Sequence, residues 1–308
     1  MPTKLTSTQK NQKDRILLSP GHRACAGCGQ MIAAIAVTRA LGPNVIIANA
    51  TGCLEVTTTP YPESAWGVPW IHSLFENASA VASGIQAALN QKKNKTTKVI
   101  AQGGDGGTFD IGFGLISGMW ERGEDILYIC YDNEAYANTG VQASGATPWA
   151  ASTTTTPAGK GKTIDAIGSH LRKKDMIAIA LAHGLPYVAQ TTAGYPNDIM
   201  RKVKKALEIK GPSYIQILVP CIPGWKIEPG QSIMVGRLAA QTGLYPLLEY
   251  ENGQLTNVQK ISEPQIEVEK YLKLQGRFKH LFQNNKGKEQ INIIQELANQ
   301  NIEKYGLK

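Results

Sequence analysis

The stretch Val99-Ile-Ala-Gln-Gly-Gly-Asp-Gly-Gly107 decides the fold of this chain. Its apolar start predicts a buried β-strand that runs directly into a glycine-rich turn around Asp105. A helix is predicted over 109–120, and a second apolar strand over 126–131 runs into Asp132-Asn133. Such a strand–helix–strand crossover returns the chain beside its starting strand. Asp105 and Asn133 are therefore expected at the same edge of a parallel sheet.

This pairing has the chemistry of a site for magnesium and a diphosphate. Mg²⁺ prefers oxygen ligands and keeps phosphate oxygens in its shell, which suits the Asp105 carboxylate and the Asn133 amide oxygen. The backbone carbonyl of Ala135 is placed for a third contact. The glycines beside Asp105 lack a Cβ, so backbone N–H groups can approach phosphates. An Asp-Gly turn or an Asn cap explains either piece alone, whereas the spacing of the two favours a shared site.

Outward from this motif, helices and strands alternate through the first part of the chain. The pattern predicts an α/β fold with a mostly parallel sheet and helices on both faces. Ligands of such sheets lie beyond the carboxyl ends of the strands. Polar residues inside predicted helices, such as Gln30 and Gln86, are interpreted as surface positions. Further helices are predicted at 29–41, 76–90, 175–183 and 196–209, further strands at 45–49, 187–189 and 213–219, and a long loop at 133–162.

The character of the sequence changes after the last predicted strand. Residues 1–225 are assigned to the main domain, and residues 226–308, which are rich in Gln and Asn, to a C-terminal extension. Helices are predicted within the extension at 265–275 and 290–305. Its apolar residues are too prominent for a free tail, so we expect an arm that docks on a partner subunit. These residues are Leu272, Phe278, Leu281 and Phe282.

Four of the five cysteines lie in loops beside glycine or proline. Cys25 and Cys28 form a Cys-x2-Cys pair, and Cys53 and Cys221 each follow a predicted strand. Single cysteines on distant loops suit an iron–sulfur cluster, which needs four thiolates gathered in space. Zinc, a disulfide and inert thiols remain open, although no second Cys-x2-Cys or paired-histidine motif accompanies the first. Cys130 lies in an apolar strand and is interpreted as a small core residue.

Composition and charge narrow the class of protein. The chain has 308 residues, 42% of them hydrophobic, which is enough for a full α/β core. No apolar run reaches the length of a membrane span and no signal-peptide core is evident, so a soluble, cytoplasmic protein with reduced cysteines is expected. The net charge of +8 suits nucleic acid, an acidic partner or a solvated surface. Because no basic stretch is interleaved with stacking aromatics, nucleic-acid binding is not expected, and an acidic electron carrier such as ferredoxin is favoured.

Over essentially its full length the chain resembles one subunit family. It is similar to the β subunit, which binds thiamine diphosphate, of the multi-subunit pyruvate:ferredoxin oxidoreductase or 2-oxoacid:ferredoxin oxidoreductase family. The matching segments are Pro20-Gly-His-Arg-Ala-Cys-Ala-Gly-Cys-Gly29, Ala50-Thr-Gly-Cys-Leu-Glu55, Trp70-Ile-His-Ser-Leu-Phe-Glu-Asn77, Gly103-Gly-Asp-Gly-Gly107, Tyr131-Asp-Asn-Glu-Ala-Tyr-Ala-Asn-Thr-Gly140, Ala146-Thr-Pro148, Pro220-Cys-Ile-Pro-Gly-Trp225 and Tyr271–His280.

The resemblance implies a thiamine-diphosphate-binding fold that carries thiamine diphosphate, Mg²⁺ and one 4Fe–4S cluster within residues 1–225. It implies cluster ligation by Cys25, Cys28, Cys53 and Cys221, and Mg²⁺ ligation by Asp105, Asn133 and the Ala135 carbonyl. The implied cofactor-binding residues are Gly104, Asp105, Gly106, Gly107, Asn133, Ala135, His72, Leu74 and Phe75, and Asn138 would lie near the reacting carbon. For His72, Leu74 and Phe75, packing in the core is an equal alternative.

The implied activity is oxidative decarboxylation of a 2-oxo acid, with electrons passing singly through the cluster to ferredoxin. Pyruvate with coenzyme A is the expected substrate pair, and oxalate (without coenzyme A) or branched-chain 2-oxo acids are alternatives. An α-type subunit would supply the glutamate that activates the cofactor, and γ- and δ-type subunits, one of them ferredoxin-like, would complete the heteromer. A non-redox thiamine enzyme would leave the cysteines unexplained, and an iron–sulfur electron-transfer module would leave Asp105 and its glycines unexplained.

Overall fold

The computed structural model describes residues 17–160 and 165–308. The helices are α1 (Gly29–Leu41), α2 (Cys53–Thr58), α3 (Ala78–Gln91), α4 (Phe113–Glu121), α5 (Met176–Ala182), α6 (Pro196–Glu208), α7 (Ile222–Trp225), α8 (Ser232–Gln241), α9 (Val268–Lys273) and α10 (Asn285–Tyr305). The strands are β1 (Val45–Asn49), β2 (Trp70–His72), β3 (Lys98–Gly104), β4 (Ile126–Asp132), β5 (Ala158–Lys160), β6 (Asp165–Ile167), β7 (Tyr187–Thr192), β8 (Ser213–Leu218), β9 (Leu248–Glu251) and β10 (Gln254–Val258). A π-helical turn spans Gly106–Ile111, and 3₁₀ turns span Pro229–Gln231 and Gly276–Phe282.

In the described part of the chain, eight strands form one sheet in the order β10-β9-β7-β8-β4-β3-β1-β2. The strands from β7 to β2 in this order are all parallel. At the other edge β9 runs antiparallel to β7 and pairs with β10 in a hairpin. The predicted mostly parallel sheet is confirmed. The separate β5–β6 ribbon lies at the end of the segment that was predicted as a loop.

Helices cover both faces of this sheet. On one face, Val37 of α1 and Val203 of α6 are fully buried in one apolar cluster. On the other face, Ala82 of α3, Met119 of α4 and Ala180 of α5 are fully buried in a second cluster. Strand β4 is buried along its whole length, as expected for a central parallel strand. Among the described residues, no helix has both the length and the apolar character needed to cross a membrane.

The C-terminal segment packs against the rest of the chain. Its strands β9 and β10 extend the main sheet, so the sheet continues beyond residue 225. Leu272, Phe278 and Leu281 are buried with Trp225 in a third apolar cluster, and Phe282 packs against it. The apolar residues that suggested a docking arm are therefore covered by the chain itself. Docking of residues 226–308 on a partner subunit stays a prediction. The buried apolar side chains no longer support it.

The carboxyl ends of the parallel strands meet at one edge of the sheet. Cys53 begins α2, directly after the loop that follows β1, and the loop after β8 carries Cys221. Between them, Asp105 follows β3 and Asn133 follows β4 directly. Since β3 and β4 are adjacent and parallel, the crossover predicted from the sequence brings these two residues together.

Candidate active site

A cavity of about 160 Å³ lies at the carboxyl edge of the sheet. Eight of the predicted site residues line it, namely Gly104, Asp105, Gly106, Asn133, Ala135, Phe75, Asn138 and the predicted cluster ligand Cys53. Gly107 is buried beside it, where an added Cβ would lie 3.2 Å from the Phe75 carbonyl oxygen. His72 and Leu74 are not among the lining residues, and Leu74 is 64% exposed. The nitrogen Nε2 of His72 instead lies 2.8 Å from the Thr51 hydroxyl.

The side chains of Asp105 and Asn133 and the backbone carbonyl of Ala135 meet in this cavity. The side-chain oxygen of Asn133 lies 2.7 Å from the Ala135 carbonyl oxygen and 3.2 Å from Oδ1 of Asp105. This position suits either the amide nitrogen, which would donate hydrogen bonds to both acceptors, or the amide oxygen with a cation shared by the three atoms. Adjacent ligands of an octahedral Mg²⁺ ion lie about 2.9 Å apart. The donor set and its spacing therefore fit a magnesium ion.

Asp105 is held in place by two hydrogen bonds. Its carboxylate accepts the Asn133 backbone N–H at 3.1 Å and the Ser144 hydroxyl at 2.5 Å. Burial, together with the nearby Asp132 carboxylate, raises the pKa of Asp105 well above its ordinary value. A bound cation favours the ionised carboxylate and would offset this cost. The surroundings thus suit a metal ligand better than a free carboxylate.

The glycine after Asp105 allows a close approach of two loops. At Gly106 an added Cβ would lie 2.4 Å from the ring of Tyr136, whose hydroxyl donates a hydrogen bond to Asp110. The π-helical turn begins at this glycine, where the sequence predicted only a helix from 109 onwards. Single π-turns occur frequently at functional sites. The turn and the Tyr136 loop together form one side of the cavity.

A second, smaller cavity of about 60 Å³ is lined by four cysteines: Cys25, Cys28, Cys53 and Cys221. Four residues line both cavities, namely Gln30, Cys53, Asn133 and Ala137. The two cavities are therefore neighbours, separated only by these side chains and their backbone. The structure brings together the cysteines that the sequence singled out and leaves Cys130 buried in β4.

Close backbone contacts bring the cysteine loops together. The N–H of Gly29 donates to the Pro220 carbonyl at 3.1 Å, which ties the Cys28 loop to the Cys221 loop. An added Cβ at Gly29 would lie 2.6 Å from the Pro220 nitrogen. Gly27 adopts a φ of 73° and lies so near Pro229 that any side chain would collide with it. Glycine is thus required on both sides of Cys28.

Burial of the Cys53 and Cys221 thiols disfavours their charged form unless a positively charged group binds beside them. Burial, with the neighbouring cysteines, raises the pKa of Cys53 to about 12. Burial also raises the pKa of Cys221 to about 11. A bound metal deprotonates its thiol ligands despite such shifts. None of the cysteines forms a disulfide, and among the described residues no three His, Cys, Asp or Glu side chains form a group that could hold a metal ion. Four thiols that line one cavity supply the donor type that an iron–sulfur cluster needs.

Two polar residues of the cavities were missed in the sequence. Gln30 was predicted to lie on the surface, but it is 6% exposed and lines both cavities, so that prediction was wrong. In the sequence, its position two residues after Cys28 could have identified Gln30 as a site residue. Asn49 lines the larger cavity, and its side-chain oxygen has no hydrogen-bond partner. Asn49 ends β1, so the rule that ligands lie at strand ends could have identified it.

Comparison with known proteins adds independent information. Residues 50–217 match the family described as thiamine pyrophosphate enzyme, C-terminal TPP binding domain. The chain is 52% identical to pyruvate synthase subunit PorB of Methanosarcina barkeri over 291 residues, which cover 94% of this chain and 97% of the relative. It is 43% identical to ketoisovalerate oxidoreductase subunit VorB of Pyrococcus abyssi over 285 residues, covering 90% and 88% of the two chains.

One solved structure is similar in fold. It is the 2-oxoglutarate:ferredoxin oxidoreductase from Magnetococcus marinus with 2-oxoglutarate, coenzyme A and succinyl-CoA bound. The TM-score is 0.56 at 22% sequence identity, and the match covers 88% of this chain and 92% of that one. At this identity the likeness concerns the arrangement of helices and strands.

Proposed function

This chain belongs to the thiamine-diphosphate-binding β subunits of the 2-oxoacid:ferredoxin oxidoreductase family, and from that premise we propose that it is the cofactor-binding subunit of a pyruvate synthase. The family oxidises 2-oxo acids in a thiamine-dependent reaction. In the proposed reaction, pyruvate and coenzyme A give acetyl-coenzyme A, CO₂ and one proton, and two electrons pass one at a time to ferredoxin. Identity reaches 52% with relatives named pyruvate synthase and is 43% with a ketoisovalerate enzyme, while a further pyruvate synthase relative is 40% identical; the higher identities support pyruvate as the substrate.

One observation carries the proposal: Asp105, Asn133 and Ala135, which can offer oxygen ligands, and the four cysteines line adjacent cavities. In the first cavity, Asp105, Asn133 and the Ala135 carbonyl would hold Mg²⁺, which in turn binds a diphosphate. Thiamine diphosphate, when bound, supplies an electron sink for the carbon that loses CO₂. We assign the backbone N–H groups of Gly104, Gly106 and Gly107 to binding of the diphosphate.

Other residues of this cavity would orient the substrate and exclude water. We assign Asn138, which lines the cavity, to the vicinity of the reacting carbon. Phe75 supplies an apolar wall that limits access of water. His72 and the exposed Leu74 lie outside the lining residues, and we assign them to the rim of the site, facing a partner subunit.

The second cavity would hold a 4Fe–4S cluster on Cys25, Cys28, Cys53 and Cys221. Such a cluster exchanges one electron at a time, which suits a reaction whose acceptor is ferredoxin. Because Gln30, Cys53, Asn133 and Ala137 belong to both cavities, electrons would cross only a thin wall of protein between the two cofactors. Neither a non-redox thiamine enzyme nor a separate electron-transfer module uses both cavities.

The site is incomplete without a second subunit. Among the described residues that line the larger cavity, Asp105 is the only acidic one, so no glutamate is present to activate the aminopyrimidine of thiamine. An α-type subunit is proposed to supply it, with γ- and δ-type subunits, one of them ferredoxin-like, completing a cytoplasmic heteromer. Exposed apolar side chains at Val56, Ile71 and Leu74 support such a contact beside the cavity. The net charge of +8 suits an acidic ferredoxin.

The proposal is tested with the anaerobically purified complex. Ferredoxin reduction is measured with pyruvate, 2-oxoisovalerate and oxalate, each with and without coenzyme A. We expect the highest kcat/KM with pyruvate and a strict need for coenzyme A. A higher kcat/KM with 2-oxoisovalerate would assign the enzyme to branched-chain substrates, and oxidation of oxalate without coenzyme A would assign it to oxalate. No thiamine-dependent activity on any of the three would contradict the proposal as a whole.

A further inference from the structure

Glu134 lies between two of the proposed magnesium ligands and has an unusual backbone conformation. Its φ is 65°, in the left-handed region that residues with a side chain rarely adopt. The residue is also buried, so a charged carboxylate is placed in the interior. Strained residues of this kind persist only where their surroundings hold them. The conformation of Glu134 determines how Asn133 and Ala135 present their oxygens to the metal.

Three side chains hold Glu134 in place. Arg277, from the C-terminal segment, contacts its carboxylate at 2.5 Å, and Lys173 contacts the other carboxylate oxygen at 2.9 Å. The hydroxyl of Thr147 donates to the Glu134 backbone carbonyl at 2.8 Å. Lys173 is shared with the buried Asp132, at 2.5 Å. Arg277 is therefore needed to balance the second of these two buried carboxylates.

Arg277 also contacts the same loop through a tryptophan. Its guanidinium carbon lies 3.9 Å from the ring centroid of Trp225. The indole N–H of Trp225 donates to the Asn133 backbone carbonyl at 2.8 Å. The backbone N–H of Trp225 donates to the Cys221 carbonyl at 2.9 Å. One arginine thus supports the metal-binding loop from two sides and links it to a loop that carries a cysteine of the second cavity.

We propose that Arg277 is a positioning residue for the metal-binding loop 133–135. By pairing with Glu134 and stacking on Trp225, it keeps the Asn133 and Ala135 oxygens directed at the metal. The C-terminal segment would then complete the active site from within the same chain. The inference rests on the proposed function, because it assumes that Mg²⁺ and thiamine diphosphate bind in the larger cavity.

The direction of the change in Mg²⁺ affinity distinguishes a positioning role of Arg277 from a purely electrostatic one. Removing a positive charge near a cation site should strengthen Mg²⁺ binding if charge alone matters. Loss of positioning should weaken it, because the ligand oxygens are no longer held in place. Losses of residues that orient metal ligands typically cost about 10–100-fold in metal affinity or activity. The sign of the change in affinity is therefore informative by itself.

The experiment uses Arg277→Gln in the assembled complex. The affinity for thiamine diphosphate is measured by calorimetry at a series of Mg²⁺ concentrations, and bound iron is measured in parallel. We expect the affinity to fall about 10–100-fold while iron content is retained. The matched control is Arg201→Gln, which breaks an arginine pair with the buried Glu249 at 2.6 Å, away from the metal-binding loop. We expect this control to bind thiamine diphosphate with the same affinity as the unmodified complex.

A second variant keeps the inference testable if Arg277→Gln does not fold. Thr147→Val preserves side-chain shape but removes the hydrogen bond to the Glu134 carbonyl. The affinity of this variant complex for thiamine diphosphate should also fall. A parent complex that shows no Mg²⁺-dependent binding would overturn the proposed function together with this inference. Unchanged or tighter binding in the Arg277 variant, or in Thr147→Val where it stands in, would overturn the inference alone. An equal loss in Arg201→Gln would do the same, since it would indicate general destabilisation.

Discussion

The cysteines of this chain lie in two different surroundings. Cys130 is fully buried in β4, where the sequence predicted a core residue. Burial raises the pKa of its thiol well above the ordinary value, so it stays protonated and unreactive. The other four line one cavity at the edge of the sheet. Cys130 is therefore a control for any test of the four proposed ligands.

Serine substitutions should separate the two kinds of cysteine. Each of Cys25→Ser, Cys28→Ser, Cys53→Ser and Cys221→Ser removes one proposed cluster ligand, so bound iron and visible absorbance should fall and electron transfer to ferredoxin should stop. Cys130→Ser should keep the cluster. Iron, sulfide and the anaerobic visible spectrum provide the measurement. Full iron occupancy in any of the first four variants would show that the proposed ligand set is wrong.

The proposed magnesium ligands should differ in importance. Asp105→Ala removes the one charged ligand and Asn133→Ala a neutral one, so both should weaken binding of thiamine diphosphate, the first more strongly. Loss of a direct metal ligand should lower the affinity for thiamine diphosphate by at least roughly 10–100-fold, which is the loss typical of residues that support metal ligands. Calorimetry on the assembled complex at fixed Mg²⁺ measures both. Unchanged affinity of Asp105→Ala for thiamine diphosphate would rule out the proposed magnesium site.

Among the elements, the π-helical turn at Gly106–Ile111 has a steric requirement beside the proposed magnesium site. Gly106→Ala would place a methyl group 2.4 Å from the Tyr136 ring, so the turn or the ring must move and the cavity must change shape. We expect binding of thiamine diphosphate to weaken by about tenfold or more, in line with other losses of support at metal sites.

Gly114, in α4, is the matched control for this substitution. An added Cβ there meets no atom within 4 Å. Gly114→Ala should therefore leave cofactor binding unchanged and stabilise the helix by roughly 0.5–1 kcal/mol. Calorimetry and thermal unfolding of the complex compare the two variants. Equal cofactor affinity in both would show that Gly106 has no special steric role.

At the scale of the whole molecule, the proposed site is incomplete, because the described residues that line the larger cavity include no acidic side chain other than that of Asp105. We therefore predict that the chain with a reconstituted cluster is inactive when expressed alone. Dye reduction dependent on a 2-oxo acid measures this, and adding the α-type subunit should restore turnover. Turnover by the isolated chain comparable with that of the complex would disprove the shared site.

Local patterns in the sequence were enough to predict the sheet and the position of its ligands. Apolar runs identified five of its parallel strands, and short strand–helix–strand crossovers permit essentially one handedness. Parallel strands then place their carboxyl ends at a common edge, so Asp105, Asn133, Cys53 and Cys221 had to come together. The β9–β10 hairpin was missed although Asn252-Gly253, a typical hairpin turn, was visible in the sequence.

Only the tertiary structure decided which residues outside these motifs reach the site. Gln30 is on a helix whose polar positions look like surface, and burial depends on the loops that cover it. Arg277 lies far from Glu134 in sequence, and no local pattern predicts a pairing across that separation. Hydrophobicity indicated that Leu272 and Phe278 must be buried, but it is non-directional and does not specify the surface that covers them. The sequence by itself therefore determined the sheet and its ligand edge, through short-range periodicity, whereas the tertiary fold alone determined that the C-terminal segment packs against that edge.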